Sequence, residues 1–265
     1  MLTELYSTPG LLEAPLVEPD GSVVFSNVTG GGVFRFRDGT TESVVASRRG
    51  IGGSAAHADG GLIMTGRDLA YTGPSGQGTI LRVEGATGLN DITTGPDGSL
   101  YVGVLRHRPQ QGESAGPSEV LKIDATGTVS EAAGGIAWPN GLGFSPDGAT
   151  LYVSEYARAR VMAIRDGETR VFATAPRGEC DGLAVDVEGG VWVALGSAGA
   201  IARFTPDGAL DTLIDIPDGS FASSLAFDDT TLYLTTIGRL LRTTVNIAGL
   251  PLPATTIPTH SPLRW

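Results

Sequence analysis

Short segments in which hydrophobic and polar residues alternate recur along the whole chain. The clearest copy, WPNGLGFSPDGATLYVSEY at 138–156, has an Asp-Gly break between two such segments. A period of two residues on both sides of an Asp-Gly break is typical of an antiparallel β-hairpin. No segment keeps a period of 3.6 residues, so we expect little or no α-helix.

The hairpin pattern repeats at intervals that are typical of propellers and solenoids. Five copies have a turn glycine, and these glycines are separated by 39, 38, 50 and 41 residues: Gly21, Gly60, Gly98, Gly148 and Gly189. A sixth copy, SSLAFDDTTLYLTT at 223–236, lacks the glycine. Two further strands fit after each of the first five hairpins and one after the last, and the pattern therefore predicts an all-β, six-bladed propeller with four-stranded antiparallel blades. The alternative at this length is a (β/α)₈ barrel, which needs eight amphipathic helices that the pattern lacks.

The two ends of the chain are predicted to meet. The last copy has three strands and then runs into AGLPLP, whose prolines cannot continue a strand ladder. We expect residues 2–7 to supply the fourth strand, so that the N-terminal strand closes the propeller and residues 1–265 form one domain. The tail, residues 254–265, is expected to be irregular and to pack on a face of the ring.

One polar position recurs at the same rank in every copy, eight residues before the turn glycine. It is occupied in chain order by Glu13, Gly52, Asn90, Asn140, Asp181 and, by alignment, Ser223. First strands line the channel of a propeller, so these side chains can converge on the axis. Glu13, Asn140 and Asp181 offer two carboxylates and an amide oxygen, and Asn90 could add a fourth ligand directly or through water. Such oxygen ligands suit Ca²⁺, Mg²⁺ or Mn²⁺ better than a structural zinc site of Cys and His. The alternative is a wet polar channel without a ligand.

An insertion, residues 105–117, accounts for the 50-residue interval. Loops that follow second strands should open on the face where the recurring polar residues begin their strands. We therefore expect this insertion over the mouth of the channel, with Arg106, His107 and Arg108 close enough to contact a substrate. A lid and a merely solvated insertion both remain open.

Composition narrows the class of partner. The 265 residues are 41% hydrophobic and 18% charged, as expected for a globular protein. The net charge of −11 argues against a nucleic acid or an anionic membrane as partner and is compatible with a bound cation. The single cysteine, Cys180, is expected to be a buried core residue. The first residues show no signal-peptide pattern and no apolar run is long enough to span a membrane, so a cytoplasmic location is expected.

Five stretches resemble the regucalcin (senescence marker protein)/gluconolactonase/luciferin-regenerating enzyme family. They are LLEAPLVEPDGSVVF, LNDITTGPDGSLYVG, WPNGLGFSPDGATLYVSEYARARV, CDGLAVDVEGGVWVA and GRLLRTTVNIAGLPLP. The resemblance implies a six-bladed propeller with one catalytic divalent ion and activity on sugar lactones. By motif it implies Glu13, Asn140 and Asp181 as metal ligands, and Asn90 and Asp91 as contacts to substrate or metal-bound water. Calcium is the favoured ion, with magnesium, manganese, zinc and iron(II) as alternatives.

Two positions depart from the family pattern. The usual Glu-Gly-Pro is Glu13-Ala14-Pro15 here, which would be tolerated if the backbone is extended. Gly88 stands where the sugar-lactonase branch usually has arginine, so we do not expect a simple hexonolactone as substrate. Arg106 or Arg108 of the insertion is a candidate replacement.

The predicted function is metal-dependent hydrolysis of a lactone, a cyclic ester, with a small molecule as the only partner. The ion would polarise the carbonyl and activate a water, Asp181 would act as base, and Asn90 would contact the reacting groups. A phosphotriesterase and a non-hydrolytic enzyme that activates a carbonyl in a biosynthetic pathway are the alternatives. A non-enzymatic scaffold is less favoured, because it has no need for three ligands at one rank. The oligomeric state is left open.

Overall fold

The computed structural model describes residues 1–108, 111–260 and 262–265. Within them the regular structure is β-strand, apart from one 3₁₀ helix at Tyr156–Arg158. The strands are, in chain order, β1 (Thr3–Val17), β2 (Val23–Asn27), β3 (Val33–Arg37), β4 (Thr40–Val45), β5 (Ser54–Ala56), β6 (Leu62–Met64), β7 (Leu69–Gly73), β8 (Gly76–Arg82), β9 (Gly88–Thr94), β10 (Leu100–Leu105), β11 (Pro117–Ile123), β12 (Val129–Ala137), β13 (Pro139–Phe144), β14 (Leu151–Glu155), β15 (Arg160–Arg165), β16 (Glu168–Thr174), β17 (Leu183–Val185), β18 (Val191–Ala194), β19 (Ala200–Phe204), β20 (Leu210–Asp215), β21 (Ala222–Asp228), β22 (Thr231–Thr244) and β23 (Leu263–Arg264).

The predicted all-β propeller is confirmed. Strands β9 to β12, β13 to β16 and β17 to β20 form three antiparallel sheets of four strands each. A fourth sheet contains β5 to β8 and gains β23 of the tail, which pairs in parallel with β8. Within the described residues, no helix has the length and apolar composition needed to cross a bilayer.

The prediction of six separate blades is wrong, because the described strands form five sheets. The difference lies at the ring closure, where β21, β22, β1, β2, β3 and β4 make one six-stranded sheet. The closure by the N-terminal strand is itself confirmed, since Thr3 pairs with Arg242 of β22. The first half of β1 pairs with β22 and its second half pairs with β2, so a single long strand joins two sets of strands that the repeat pattern counts separately.

The innermost strands contact one another around the axis in the order β1, β5, β9, β13, β17 and β21, and β21 returns to β1. Glycines permit this close approach. A Cβ on Gly141 would lie 2.2 Å from the amide nitrogen of Leu183, and one on Gly53 would lie 2.5 Å from that of Ile92. A side chain at either position would force neighbouring strands apart, so these glycines keep the inner strands close together.

The hairpin turns explain the recurring Asp-Gly pairs. Gly98 and Gly148 have φ angles of 77° and 69°, which glycine adopts without steric cost. The aspartate before each glycine accepts a hydrogen bond from a backbone amide two residues further along the chain, at 3.1 Å for Asp97 and for Asp147. In the sixth copy, which lacks the glycine, Asp229 takes the left-handed conformation with φ of 50°.

The core lies between the faces of neighbouring sheets. Ile63 and Leu81 of the β5–β8 sheet pack with Leu100 and Leu121 of the next sheet, and all four are fully buried. The tail adds Ile257 to the same cluster. Each sheet is therefore held by its neighbours.

Candidate active site

The oxygen-bearing residues predicted from the repeat lie on the innermost strands. Glu13 belongs to β1, Asn90 and Asp91 to β9 and Asn140 to β13, while Asp181 lies two residues before β17. Asn90 is half-buried, and the other four are buried, with exposed fractions between 3% and 9%. The fold thus places charged and polar groups in a part of the molecule that excludes most water.

Short-range contacts connect several of these residues. Asn140 lies close enough to Asp181 to lower the pKa of its carboxyl group, against the larger effect of burial. The side-chain amide of Asn90 donates to the carbonyl of Pro139 at 3.1 Å, which links β9 to the residue before Asn140. The Oδ1 atom of Asp181 is buried and has no hydrogen-bond partner. An unpaired buried acceptor is costly, so this oxygen is a site where a ligand can bind.

Three carboxyl groups form what we call the acidic cluster: Glu13, Asp91 and Asp181. Burial raises the pKa of Glu13 well above its usual range, and the charges of Asp181 and Asp91 raise it further. Burial and the charge of Asp91 raise the pKa of Asp181 in the same way. Burial raises the pKa of Asp91 to about 7, against a hydrogen bond of 2.8 Å from the amide of Ile92. No arginine or lysine among the described residues lowers the pKa of any of the three.

These properties fit a divalent cation. No three His, Cys, Asp or Glu side chains of the described ranges form a metal-sized group. The ligand set would therefore be the mixed one of Glu13, Asp181 and the amide oxygen of Asn140. Hard oxygen donors, uncompensated negative charge and the unpaired oxygen of Asp181 are what Ca²⁺ or a similar ion needs.

Beside the acidic cluster stands an aromatic wall, which we define as His107, Trp138 and Tyr156. The ring centroids of His107 and Trp138 are 4.8 Å apart with planes at 67°, and those of Trp138 and Tyr156 are 4.3 Å apart at 35°. Burial raises the pKa of Tyr156 well above its usual range, as do the negative charges of Asp181 and Glu13. The wall therefore runs from the insertion to the carboxylates.

The insertion contributes its three predicted residues in different ways. His107 is 4% exposed, its Nε2 atom has no hydrogen-bond partner, and burial lowers its pKa. Arg106 donates to the carboxylate of Glu119 at 3.0 and 3.1 Å, and Arg108 pairs with Glu113 at 3.1 Å. The structure brings His107 to the aromatic wall, and the hydrogen bonds of the two arginines go to residues outside the acidic cluster.

Pro109 and Gln110, which the sequence places in the same insertion, lie outside the described residues. The insertion is tied to β9 by Thr87, whose hydroxyl donates to the carbonyls of His107 at 2.6 Å and Leu105 at 3.0 Å. The part that holds His107 is thus fixed next to the strand that carries Asn90 and Asp91.

Three other positions of the predicted ring or motif have clear structural roles. The space above Gly52 is filled by Asn90, because a Cβ there would lie 2.5 Å from Asn90 Oδ1. The buried hydroxyl of Ser223 donates to the carbonyl of Leu12 at 2.7 Å and so supports the ring closure. The backbone at Ala14 is not extended, the condition under which alanine would be tolerated there, since its φ is 54°. This left-handed conformation explains why a glycine is usual at that place in the motif.

Sequence reasoning missed Trp138 and Tyr156 as site residues. Both belong to the best-preserved hairpin copy, of which they are the first and last residues. The available signal was that both aromatic residues flank the alternating segments, where a propeller exposes its loops. Their contact with each other and with His107 depends on packing, which periodicity does not reveal.

A family model described as "SMP-30/Gluconolactonase/LRE-like region" matches residues 11–238. Pentonolactonase XacC of Haloferax volcanii is 30% identical over 168 residues, which are 59% of this chain and 55% of that protein. The 6-deoxy-6-sulfogluconolactonase of Pseudomonas putida is 32% identical over 176 residues, 62% of this chain and 58% of that protein. The chain thus spans little more than half the length of these curated relatives.

The similarity to a solved structure covers more of the chain than the similarity to these curated sequences. A gluconolactonase from Xanthomonas campestris superimposes with a TM-score of 0.80 at 26% identity, and the match covers 94% of this chain and 89% of that one. The similarity extends over the sheets that carry the acidic cluster and the aromatic wall.

Proposed function

The chain belongs to the SMP-30/gluconolactonase/LRE-like family, and on that premise we propose that it is a divalent-metal-dependent hydrolase that opens lactones. The single observation that carries the proposal is the acidic cluster. Its carboxyl groups are buried, no Arg or Lys side chain that the structure describes lowers their pKa, and one oxygen of Asp181 is unpaired. A structural scaffold gains nothing from such an arrangement, whereas a cation site requires it.

Glu13, Asn140 and Asp181 would hold the ion. Two carboxylates and an amide oxygen favour Ca²⁺, with Mg²⁺, Mn²⁺, Zn²⁺ and Fe²⁺ as ions to compare. When bound, a divalent cation supplies Lewis-acid activation of the lactone carbonyl and lowers the pKa of a nearby water. Three protein ligands leave coordination positions for substrate.

The protein's own residues would move the proton and orient the substrate. Asp181 is the proposed base, since its unpaired oxygen can accept a proton from the attacking water. Asp91 is the second acidic group at the site, and burial raises its pKa to about 7 in the metal-free protein. A bound cation would favour its charged form, which could accept a proton. Asn90, whose side-chain amide donates to the carbonyl of Pro139, would contact the reacting groups.

The predicted contacts of the insertion with substrate are retained as part of the proposal. Arg106 and Arg108 would have to exchange their partners Glu119 and Glu113 for a substrate group. His107 would act through the aromatic wall, because its ring is buried against Trp138. Specificity for a hexonolactone is not expected, since Gly88 provides no fixed cation for a polyhydroxylated chain.

The test is a screen for hydrolysis of sugar lactones and alkyl lactones, in which the acid released by each opened lactone is measured at constant pH. The protein is first treated with chelator and then reloaded with one ion at a time. We expect lactone opening that disappears with chelator and returns with one ion. Activity on phosphotriesters alone, or lactone opening that is unaffected by chelator, would contradict the proposal.

A further inference from the structure

Trp138 is held in an unusual backbone conformation next to the site. Its φ is 61°, in the left-handed region that bulky residues rarely adopt. Strained backbone of this kind persists where surrounding contacts enforce it, and it occurs preferentially at functional sites. Glycine or asparagine would adopt this conformation more easily, so the presence of an indole indicates that the side chain itself is needed.

The backbone on both sides of Trp138 is fixed by hydrogen bonds. The amide of Ala137 donates to the carboxylate of Glu155 at 2.8 Å, and Glu155 is only 1% exposed. The carbonyl of Trp138 accepts from the amide of Tyr156 at 3.1 Å. The next carbonyl accepts from the side chain of Asn90 at 3.1 Å. The indole is therefore placed rigidly with respect to the residues of the proposed reaction.

The indole also lies in the middle of the aromatic wall. His107 contacts it edge-on from the insertion, and Tyr156 packs against it with the two ring planes tilted by 35°. His107 is buried, whereas Trp138 and Tyr156 are half-buried and keep part of their surface accessible. A substituent on a lactone whose carbonyl lies at the acidic cluster would extend along this surface.

The strand that carries Asn90 offers no cation to a hydroxylated substituent. It begins at Gly88, and the atoms nearest to a Cβ built there are the carbonyl oxygen of Gly66, at 3.3 Å, and a methyl of Leu105, at 3.9 Å. Arg106, the residue after Leu105, directs its guanidinium to Glu119. Neither position therefore supplies a free guanidinium for a polyhydroxylated substituent, and burying hydroxyl groups without partners is costly.

We propose that Trp138 determines substrate specificity by contacting an apolar substituent, alkyl or aryl, of the lactone. The inference rests on the proposed lactonase function and names the substrate class of that same site. An alkyl or aryl substituent can bury its carbon surface against the rings of the wall, whereas a hydroxylated substituent must also give up water from its hydroxyl groups. The wall would therefore select lactones that are substituted with carbon chains over those of sugar acids.

The test compares two γ-lactones, one with a straight alkyl substituent and one with a hydroxylated substituent of similar length. The wild-type protein should have the higher kcat/KM on the alkyl lactone. Trp138→Ala should lower that value at least tenfold, about 1.4 kcal/mol, mainly through KM. The kcat/KM for the hydroxylated lactone should change by less than roughly threefold, since that substrate makes little contact with the indole. Trp138→Phe keeps an aromatic face and should retain most of the preference.

Three outcomes would overturn the inference. Equal losses on both lactones in Trp138→Ala would mean that the indole only supports the fold. A wild-type preference for the hydroxylated lactone would exclude the substrate class. If the wild type opens neither lactone, the proposed function fails. The role of Trp138 is then tested by measuring the binding of the two compounds calorimetrically, and equal affinities would contradict it.

A second variant tests the aromatic wall without changing Trp138, whose replacement could disturb folding. His107→Ala removes the edge contact to the indole but leaves the strained backbone and the acidic cluster in place. It should reduce the preference for the alkyl lactone in the same direction as Trp138→Ala. The cation-dependent rise in melting temperature should be the same in wild type, Trp138→Phe and His107→Ala, and a preference unchanged in His107→Ala would contradict the role of the wall.

Discussion

The acidic cluster predicts that the stability of the metal-free protein falls as pH rises. Burial raises the pKa of Asp91 from 3.8 to about 7 in the folded state. A carboxyl group whose pKa is raised on folding contributes its full stability below the unfolded value, about 3.8, and loses it as pH rises through the folded value. Chelated protein should therefore become less stable between about pH 4 and pH 7, the opposite of the usual behaviour of paired carboxylates.

The magnitude follows from the same values. The interval from 3.8 to about 7 corresponds to roughly 4 kcal/mol at about 1.4 kcal/mol per pH unit. Water entry and side-chain relaxation reduce this figure, so a loss of about 2–4 kcal/mol is expected from Asp91 alone. The pKa values of Glu13 and Asp181 are raised as well, so their contributions have the same sign. A loss of this size is a large part of a typical unfolding free energy of about 5–15 kcal/mol.

Urea unfolding between pH 4.5 and 8, with chelator and with excess Ca²⁺, measures the effect. Chelated wild type should lose stability over this range, and the cation should restore it at pH 8 by neutralising the cluster. Asp91→Asn keeps the shape and removes the charge, so its chelated form should show a flatter profile. A chelated wild type that is as stable at pH 8 as at pH 5, or an equal slope in Asp91→Asn, would refute this effect of the acidic cluster.

Three further predictions concern single residues. Ala14 has a φ of 54°, so Ala14→Val should destabilise by about 2 kcal/mol or more, while Ala14→Gly should stay within about 1 kcal/mol of wild type; the reverse order in urea unfolding would indicate an extended backbone. Ser223→Ala removes a buried hydrogen bond of 2.7 Å and should cost about 1–2 kcal/mol, and no change in unfolding would exclude a role in ring closure. Burial lowers the pKa of His107, so its contribution to stability is lost as pH falls through its unfolded value, about 6.5; His107→Phe should remove that loss between pH 7 and 5, and an unchanged profile would mean that the ring is solvated.

Much of the fold follows from the alternation of hydrophobic residues and the spacing of the turn glycines. These patterns predicted the strands, the hairpins and the closing role of the N-terminal strand. They did not predict that β1 pairs with both β22 and β2 and so joins their strands into one sheet. A repeat counts strands, but continuity of hydrogen bonding past a bend depends on backbone geometry that the repeat does not encode.

The candidate site, too, could be predicted only in part from the sequence. Glu13, Asn140 and Asp181 could be selected because a propeller places equal ranks of its repeats around one axis. The unpaired oxygen of Asp181 could not be predicted, since it depends on which neighbours lack a donor. The partners of Arg106 and Trp138 were equally inaccessible, because they come from residues distant in the chain whose side chains meet only after folding.

The most direct test of the account is the rate of lactone hydrolysis by Asp181→Asn beside wild type, each chelated and then reloaded with the ion that activates the wild type. Asparagine keeps the size of the side chain and removes the charge and the proton acceptor. Loss of a general base lowers rates by about 10²–10⁴-fold, so reloaded Asp181→Asn should be at least about a hundredfold slower and should bind the ion more weakly. Asp91→Asn changes a carboxyl group that is not one of the three proposed ligands, so it should keep the ion. Full activity of Asp181→Asn, or equal rates for chelated and reloaded wild type, would contradict the central claim.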